Sequence, residues 1–343
     1  MILHYFRATV TMDEELEETG NWIPKYICFL CIVLIVWSYV VFTDELRVLF
    51  ETKWFMSVTM LFGSFIAGAT SEGGGAVVFP IMTLFYKISP LVARDFSLMI
   101  QSVGMSTAAL VILLTRIKIL KKVIVCAAVG SFFGIPFGLE IASHMEPAMV
   151  KFFFVSLWMG FINVLIFVKN NNNSNQVKAL ALKSKKQAFI FIALGFLGGI
   201  ISGILGSGID ILIFAYVVLR HRVSEKIATP TSVVLMATIS AFGVFWLNSP
   251  LFQGVSPEAY QYFMVSVPIV ILGAPFGALF ITKKSKEFIK KFLIVSITIQ
   301  FITALFIIDH TYISFGIGLT TLIISTFLFN KMKDNPHVEV STT

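Results

Sequence analysis

Charge is scarce in this sequence. Asp, Glu, Lys and Arg together make up 13% of 343 residues, against roughly 25% in an ordinary soluble protein. So few charges cannot cover a soluble fold whose hydrophobic share is 57%, with 35 Phe and a mean hydropathy of +0.88. A soluble protein is excluded, and with it a soluble nucleic-acid binder, although the net charge is +7. Cysteine is scarce as well: three residues, an odd number, build no disulfide framework. Cys28 and Cys31 are spaced C-x-x-C inside the first apolar run, but without the soluble redox context or the further ligands that thiol or zinc chemistry requires. The five histidines (His4, His144, His221, His310 and His337) fall in tails or loops. That leaves an intramembrane serine or metal hydrolase without its base or its ligands, so Gly206-Ser207-Gly208 is not read as a nucleophile motif. No catalytic residue, no cofactor and no metal is expected. A basic start is missing too: Asp13, Glu14, Glu15, Glu17 and Glu18 precede the first apolar run, so no cleavable signal peptide is expected.

What is present is apolar sequence in long runs. About twelve segments stand out, at 24–43, 54–70, 74–86, 92–114, 123–142, 149–168, 187–206, 208–219, 226–248, 260–281, 289–307 and 311–329. Most reach the roughly 20 residues that cross a bilayer core as helix. Segments 74–86 and 208–219 do not, and each follows a glycine-rich break. The polar stretch Lys169 to Gln187 is the obvious linker. The expected order is an acidic tail (1–22), an extra helix and loop (23–53), a first repeat (54–168), the linker (169–187), a second repeat (188–307), a final helix (308–330) and a tail (331–343).

The two halves look alike. At an offset of 135, Gly68 falls on Gly203, Gly73 on Gly208, Phe79 on Phe214, Leu84 on Leu219, Ser89 on Ser224, Ala93 on Ala228 and Ser97 on Ser232. Further on, Gly134-Ile135-Pro136-Phe137-Gly138 matches Gly273-Ala274-Pro275-Phe276-Gly277. If segments alternate across the membrane, 21 Lys and Arg lie on one side and 5 on the other. The rich side is expected to be cytoplasmic, together with both termini. Five segments per repeat is an odd number, so the second repeat enters upside down. The expected fold is an all-α polytopic membrane protein of two inverted five-segment repeats with glycine-broken short helices, plus one extra helix at each end; inverted repeats are typical of secondary transporters. Segments 54–70 and 74–86 either both cross or form a re-entrant hairpin, and charge does not decide between these.

The breaks hold the candidate chemistry. The first contains Ser71, Glu72, Gly73, Gly74 and Gly75; the second contains Gly206, Ser207, Gly208 and Asp210. Consecutive glycines disfavour helix by roughly 1 kcal/mol each, and unwound backbone at membrane depth is tolerated only where protein or a watery cavity satisfies it. Free N–H groups at the next helix start suit a small anion; close packing through small residues is the alternative. Arg94 either pairs with an oxyanion or snorkels to the interface while Asp95 caps its helix. Ser97, Gln101, Thr229, Thr231 and Ser232, near the starts of long helices, either line a polar cavity or tie helices together. Glu140 beside His144 reads as interfacial, and Asn172-Asn173-Ser174 as an unused cytoplasmic glycosylation pattern.

Gly73-Gly74-Gly75 with Pro80 five residues on, followed by Lys87-Ile88-Ser89-Pro90-Leu91-Val92-Ala93-Arg94-Asp95-Phe96-Ser97, resembles the sulfite exporter TauE/SafE family of membrane transporters. The resemblance runs from about residue 55 to 307 and recurs in both halves. It implies a carrier of small inorganic or organic anions, such as sulfite, sulfonates and related sulfur or carboxylate oxyanions, in a lipid bilayer, expected to be the plasma membrane. An anion channel is the alternative, ahead of an intramembrane enzyme or a structural membrane protein. The second copy departs from the family pattern, with Asp210 and Ala215 where a glycine run and a proline are usual. An ionised carboxylate disfavours a nearby anion. Glu72 and Asp210, one acid per break, are therefore either capping groups or carriers of a coupling proton or cation.

Overall fold

The computed structural model describes residues 22–43, 46–70, 78–167, 184–282, 286–308 and 311–334. Its regular elements are helical: α1 (Trp22–Thr43), α2 (Leu49–Ala69), α3 (Pro90–Leu114), α4 (Lys121–His144), α5 (Pro147–Phe167), α6 (Lys185–Leu205), α7 (Ile209–Ala215), α8 (Glu225–Leu247), α9 (Pro257–Thr282), α10 (Lys286–Ile307) and α11 (Tyr312–Asp334). Among the described residues, eight helices are long and apolar enough to cross a membrane. In hydrocarbon a helix satisfies its own backbone groups, which is why continuous apolar runs resolve this way. The chain is an all-α, multi-pass membrane protein.

Local signals set the helix ends. Ser184 caps α6 by accepting from Lys186 N, while the Gln187 side chain accepts from Ser184 N; the reciprocal pair satisfies donors a helix start leaves free. Pro90 opens α3, where a missing N–H does no harm. Helix α2 begins five residues before the apolar run read from the sequence. Glu51 sits in its first turn, where a carboxylate suits the helix dipole, and Lys53 lies over the Tyr262 ring at 5.0 Å.

The backbone is drawn twice at the 135-residue offset. Each short segment ends in a π-helical turn, Ile81–Phe85 in one half and Tyr216–Arg220 in the other. Each turn is followed by a residue in the left-handed region, Lys87 (φ 54°) and Arg222 (φ 53°). The next amides close the same wide loop, Ile88 N to Met82 O and Val223 N to Val217 O. Ser89 and Ser224 then precede α3 and α8 with nearly equal dihedrals (φ −54° and −59°, ψ 137° in both).

Packing follows the same exchange. Helix α4 lies along α6 and α2 along α9, while α3 and α8 pack on each other in the centre. Glycine makes the first two contacts possible. A Cβ on Gly134 or Gly138 would overlap Phe196 O or Ile200 O of α6, and one on Gly277 would overlap Phe65 O of α2. Gly68 meets Ala274 O, and Gly203, its sequence counterpart, meets Ile135 O. The outer helices are fastened separately. From α1, Tyr26 Oη donates to Ile271 O (2.9 Å) and Trp37 Nε1 to Met264 O (2.8 Å). Helix α11 packs along α5, with Ser325 against Gly160. Cys28 and Cys31 are free and exposed on α1.

Candidate functional site

Residues 71–77 lie outside the described residues, so the first break, with Ser71, Glu72, Gly73, Gly74 and Gly75, is known here from sequence alone. The second break is described. Helix α6 ends at Leu205; Gly206 turns into the left-handed region (φ 80°), its N–H still bonded to Ser202 O at 2.8 Å. Gly208 follows at φ 133°, a conformation open in practice only to glycine. These two residues turn the chain between α6 and α7. A Cβ on Gly206 would lie 2.7 Å from Arg94 O and from Ser97 Cβ, so the break is pressed against the start of α3.

Asp210 sits in the first turn of α7 with no solvent exposure. Its Oδ1 accepts from Gly208 N at 2.8 Å, so part of the donor set at the break is taken by the chain's own carboxylate. The other oxygen, Oδ2, is buried with no hydrogen-bond partner among the described residues. From α3, Gln101 reaches across: Nε2 donates to Ser97 O (3.0 Å) and to Gly206 O (2.9 Å). Both amide hydrogens are thereby used, and Oε1 is left buried and unpartnered, as is Ser207 Oγ. These groups line one small cavity together with Leu98, Ser202, Gly206, Met236, Ile239 and Ser240.

The expected site residues therefore divide. Gln101, Gly206, Ser207 and Asp210 share the cavity, with Ser97 beside Gly206 and Gly208 holding Asp210. Thr229 and Ser232, buried on α8, keep unpartnered hydroxyls but do not line it. Thr231 is a structural tie: its hydroxyl donates to Ile227 O (2.6 Å) and accepts from Leu120 N (3.1 Å). Arg94 does not snorkel. It is buried, and its Nε and Nη2 both donate to Asp95 Oδ1, at 3.0 and 2.7 Å. Asp95 does not cap its own helix either; its Oδ2 accepts from Ser256 N (3.1 Å), just ahead of α9. Glu140 and His144 form an exposed pair at 3.1 Å, as the sequence suggested.

Two polar lining residues escaped the sequence reading. Ser240 lies on the face of α8 that carries Thr229, Ser232 and Met236, and that three- and four-residue spacing was a usable signal. Ser202 was hidden inside a run of small residues that reads as helix packing.

None of the curated proteins and none of the solved structures searched matches the chain. The family model described as sulfite exporter TauE/SafE matches residues 19–158 and again residues 56–304. A membrane-embedded helical chain, with a glycine break and buried polar groups pressed between its central helices, fits that assignment, and the chain belongs to the sulfite exporter TauE/SafE family of membrane transporters.

Proposed function

We propose that the protein is a secondary transporter of small anions: sulfite, a sulfonate, or a related sulfur or carboxylate oxyanion. The observation that carries this beyond family membership is the twice-drawn backbone, a π turn, a left-handed residue and a long helix, repeated at 135 residues. Duplicated broken helices around a central site are how many secondary carriers hold their cargo. The stretch 209–220 rises at most roughly 18 Å, short of the ~30 Å core, which favours a break deep in the bilayer. Odd-numbered repeats and the 21-to-5 charge split support an inverted pair with both termini cytoplasmic, and a plasma-membrane location accords with export.

The anion is assigned to the first break, Ser71 to Gly75, and to the unpartnered hydroxyls of Ser232 and Thr229. The reasoning is by offset. Ser97 touches Gly206 in the second break; the same 135-residue shift that relates Ser97 to Ser232 relates Gly206 to Ser71. A hydroxyl can donate to an oxyanion, whereas the second break offers a carboxylate.

The test is efflux of radiolabelled sulfite from proteoliposomes, with sulfate, thiosulfate, small sulfonates and carboxylates as competitors. Saturable efflux above protein-free vesicles is expected. Replacing Ser232 with Ala should slow it at least severalfold without altering the melting temperature in detergent. Folded protein that moves none of these anions would remove the transport reading.

A further inference from the structure

The cavity at the second break is the wrong place for the anion. It is about 10 Å³, which is room for roughly one water. An oxyanion does not fit. The wall is rich in acceptors: Gln101 Oε1 and Asp210 Oδ2 accept only, and the Ser207 hydroxyl can turn a lone pair inward. Gln101 has spent both amide hydrogens on backbone carbonyls, so it has no donor left to turn inward. The carboxyl end of α6 and the first turn of α7 both lie at this spot, so their dipoles largely offset one another.

We propose that this cavity binds one dehydrated alkali cation, the coupling ion of the transport proposed above, on which the coupling role rests. Charge sets the valence. Among the described residues Asp210 is the one carboxylate on the wall, so a monovalent ion leaves the buried site neutral and a divalent ion leaves it charged. Arg94 does not supply a competing charge, because Asp95 already holds its guanidinium. Oxygen ligands from a carboxylate, an amide carbonyl and hydroxyls suit a hard cation. A proton on Asp210 would satisfy one acceptor and leave the others of the set unanswered.

The duplication supplies an internal comparison. The counterparts of Gln101, Ser202 and Ser240 at the 135-residue offset are Met236, Ala67 and Met105, all in one buried apolar cluster. The counterpart of Asp210 is Gly75. Helix packing in the same architecture is thus achieved with methionine and alanine. Ser207 falls on Glu72, outside the described residues, so the copies differ at Gln101, Ser202 and Ser240, and these three polar positions are what packing does not require.

The experiment measures binding of radiolabelled sodium to the full-length protein in detergent, with choline chloride holding the ionic strength and no transportable anion added. Potassium serves as the second probe. Saturable binding of about one ion per chain is expected, with a rise in melting temperature as the cation is titrated in. Asp210→Asn should weaken binding at least tenfold. Ser240→Ala, which removes a hydroxyl from a helix that does not depend on it, should weaken binding severalfold while its melting temperature in choline stays that of the parent. Choline-like behaviour of both sodium and potassium, a response to pH alone, or parent-like cation binding by folded Asp210→Asn would overturn the proposal. The transport reading fails separately: cation binding that persists in protein moving no anion leaves the site standing and removes its role as coupling ion.

Discussion

Gly206 shows what a single residue decides here. The left-handed region is disfavoured for a residue with a Cβ by roughly 1–2 kcal/mol, and at this position the Cβ would also lie 2.7 Å from the Arg94 carbonyl. Gly206→Ala is expected to lower stability by at least that amount, read as a fall in melting temperature in detergent, and to disturb the bond from Gln101 Nε2 to Gly206 O. An unchanged melting temperature would mean that the break can swing away from α3. At this scale the sequence was legible in composition and not in partnership. The density of glycine marked the break, and Asp210 stood out as an acid in apolar sequence. That its neighbour is Gln101, more than a hundred residues earlier, depends on how α3 crosses the end of α6. No local pattern encodes that crossing. Nor did anything local tell that Arg94 would spend its donors on the next residue.

Between elements, the close pairs α4–α6 and α2–α9 depend on glycine at the contact. Gly134→Leu places a side chain into the backbone of α6, where neither helix can yield, and overpacking of this kind destabilises by about 1–3 kcal/mol or more. Gly316→Leu on α11 is the matched control, since a Cβ there meets nothing within 4 Å. The first variant should lose yield and melting temperature in detergent and the second should keep both; equal behaviour would mean that glycine is not what sets the α4–α6 distance. The long helices were legible because twenty apolar residues in a row have few other fates in a membrane. The early start of α2 was not, because Glu51 and Lys53 read as loop until the helix dipole and the Tyr262 ring are seen to accommodate them. The π turns were not legible either, as Ile81–Phe85 and Tyr216–Arg220 carry the same apolar residues an α-turn would.

Across the whole molecule, orientation is open to a direct check. With Cys28, Cys31 and Cys126 replaced by Ala, single cysteines at Gln253 and Lys118, both exposed, report on opposite ends of the bundle. An impermeant thiol reagent should reach Gln253→Cys in intact cells and Lys118→Cys only after permeabilisation. The reverse pattern would overturn the cytoplasmic assignment of the lysine-rich loops. The duplication was legible at this scale, because it left matching residues at a fixed offset, and the charge asymmetry supplies the orientation that the thiol reagent tests. What it withheld was how the halves interlock, with α2 against α9 and α6 against α4.

The two copies share a backbone but differ in what lies between their central helices, and that difference sets a resting preference. Water entering beside Gln101, Ser207 and Asp210 hydrates groups that lack partners. Water entering beside Ala67 and Met105 exposes apolar surface that is 1–2% accessible in this conformation, at about 1.5–3 kcal/mol for the methionine uncovered. A machine made of two equal halves would idle equally often facing either compartment. This one is weighted, and in the absence of ligand water should enter first beside Asp210.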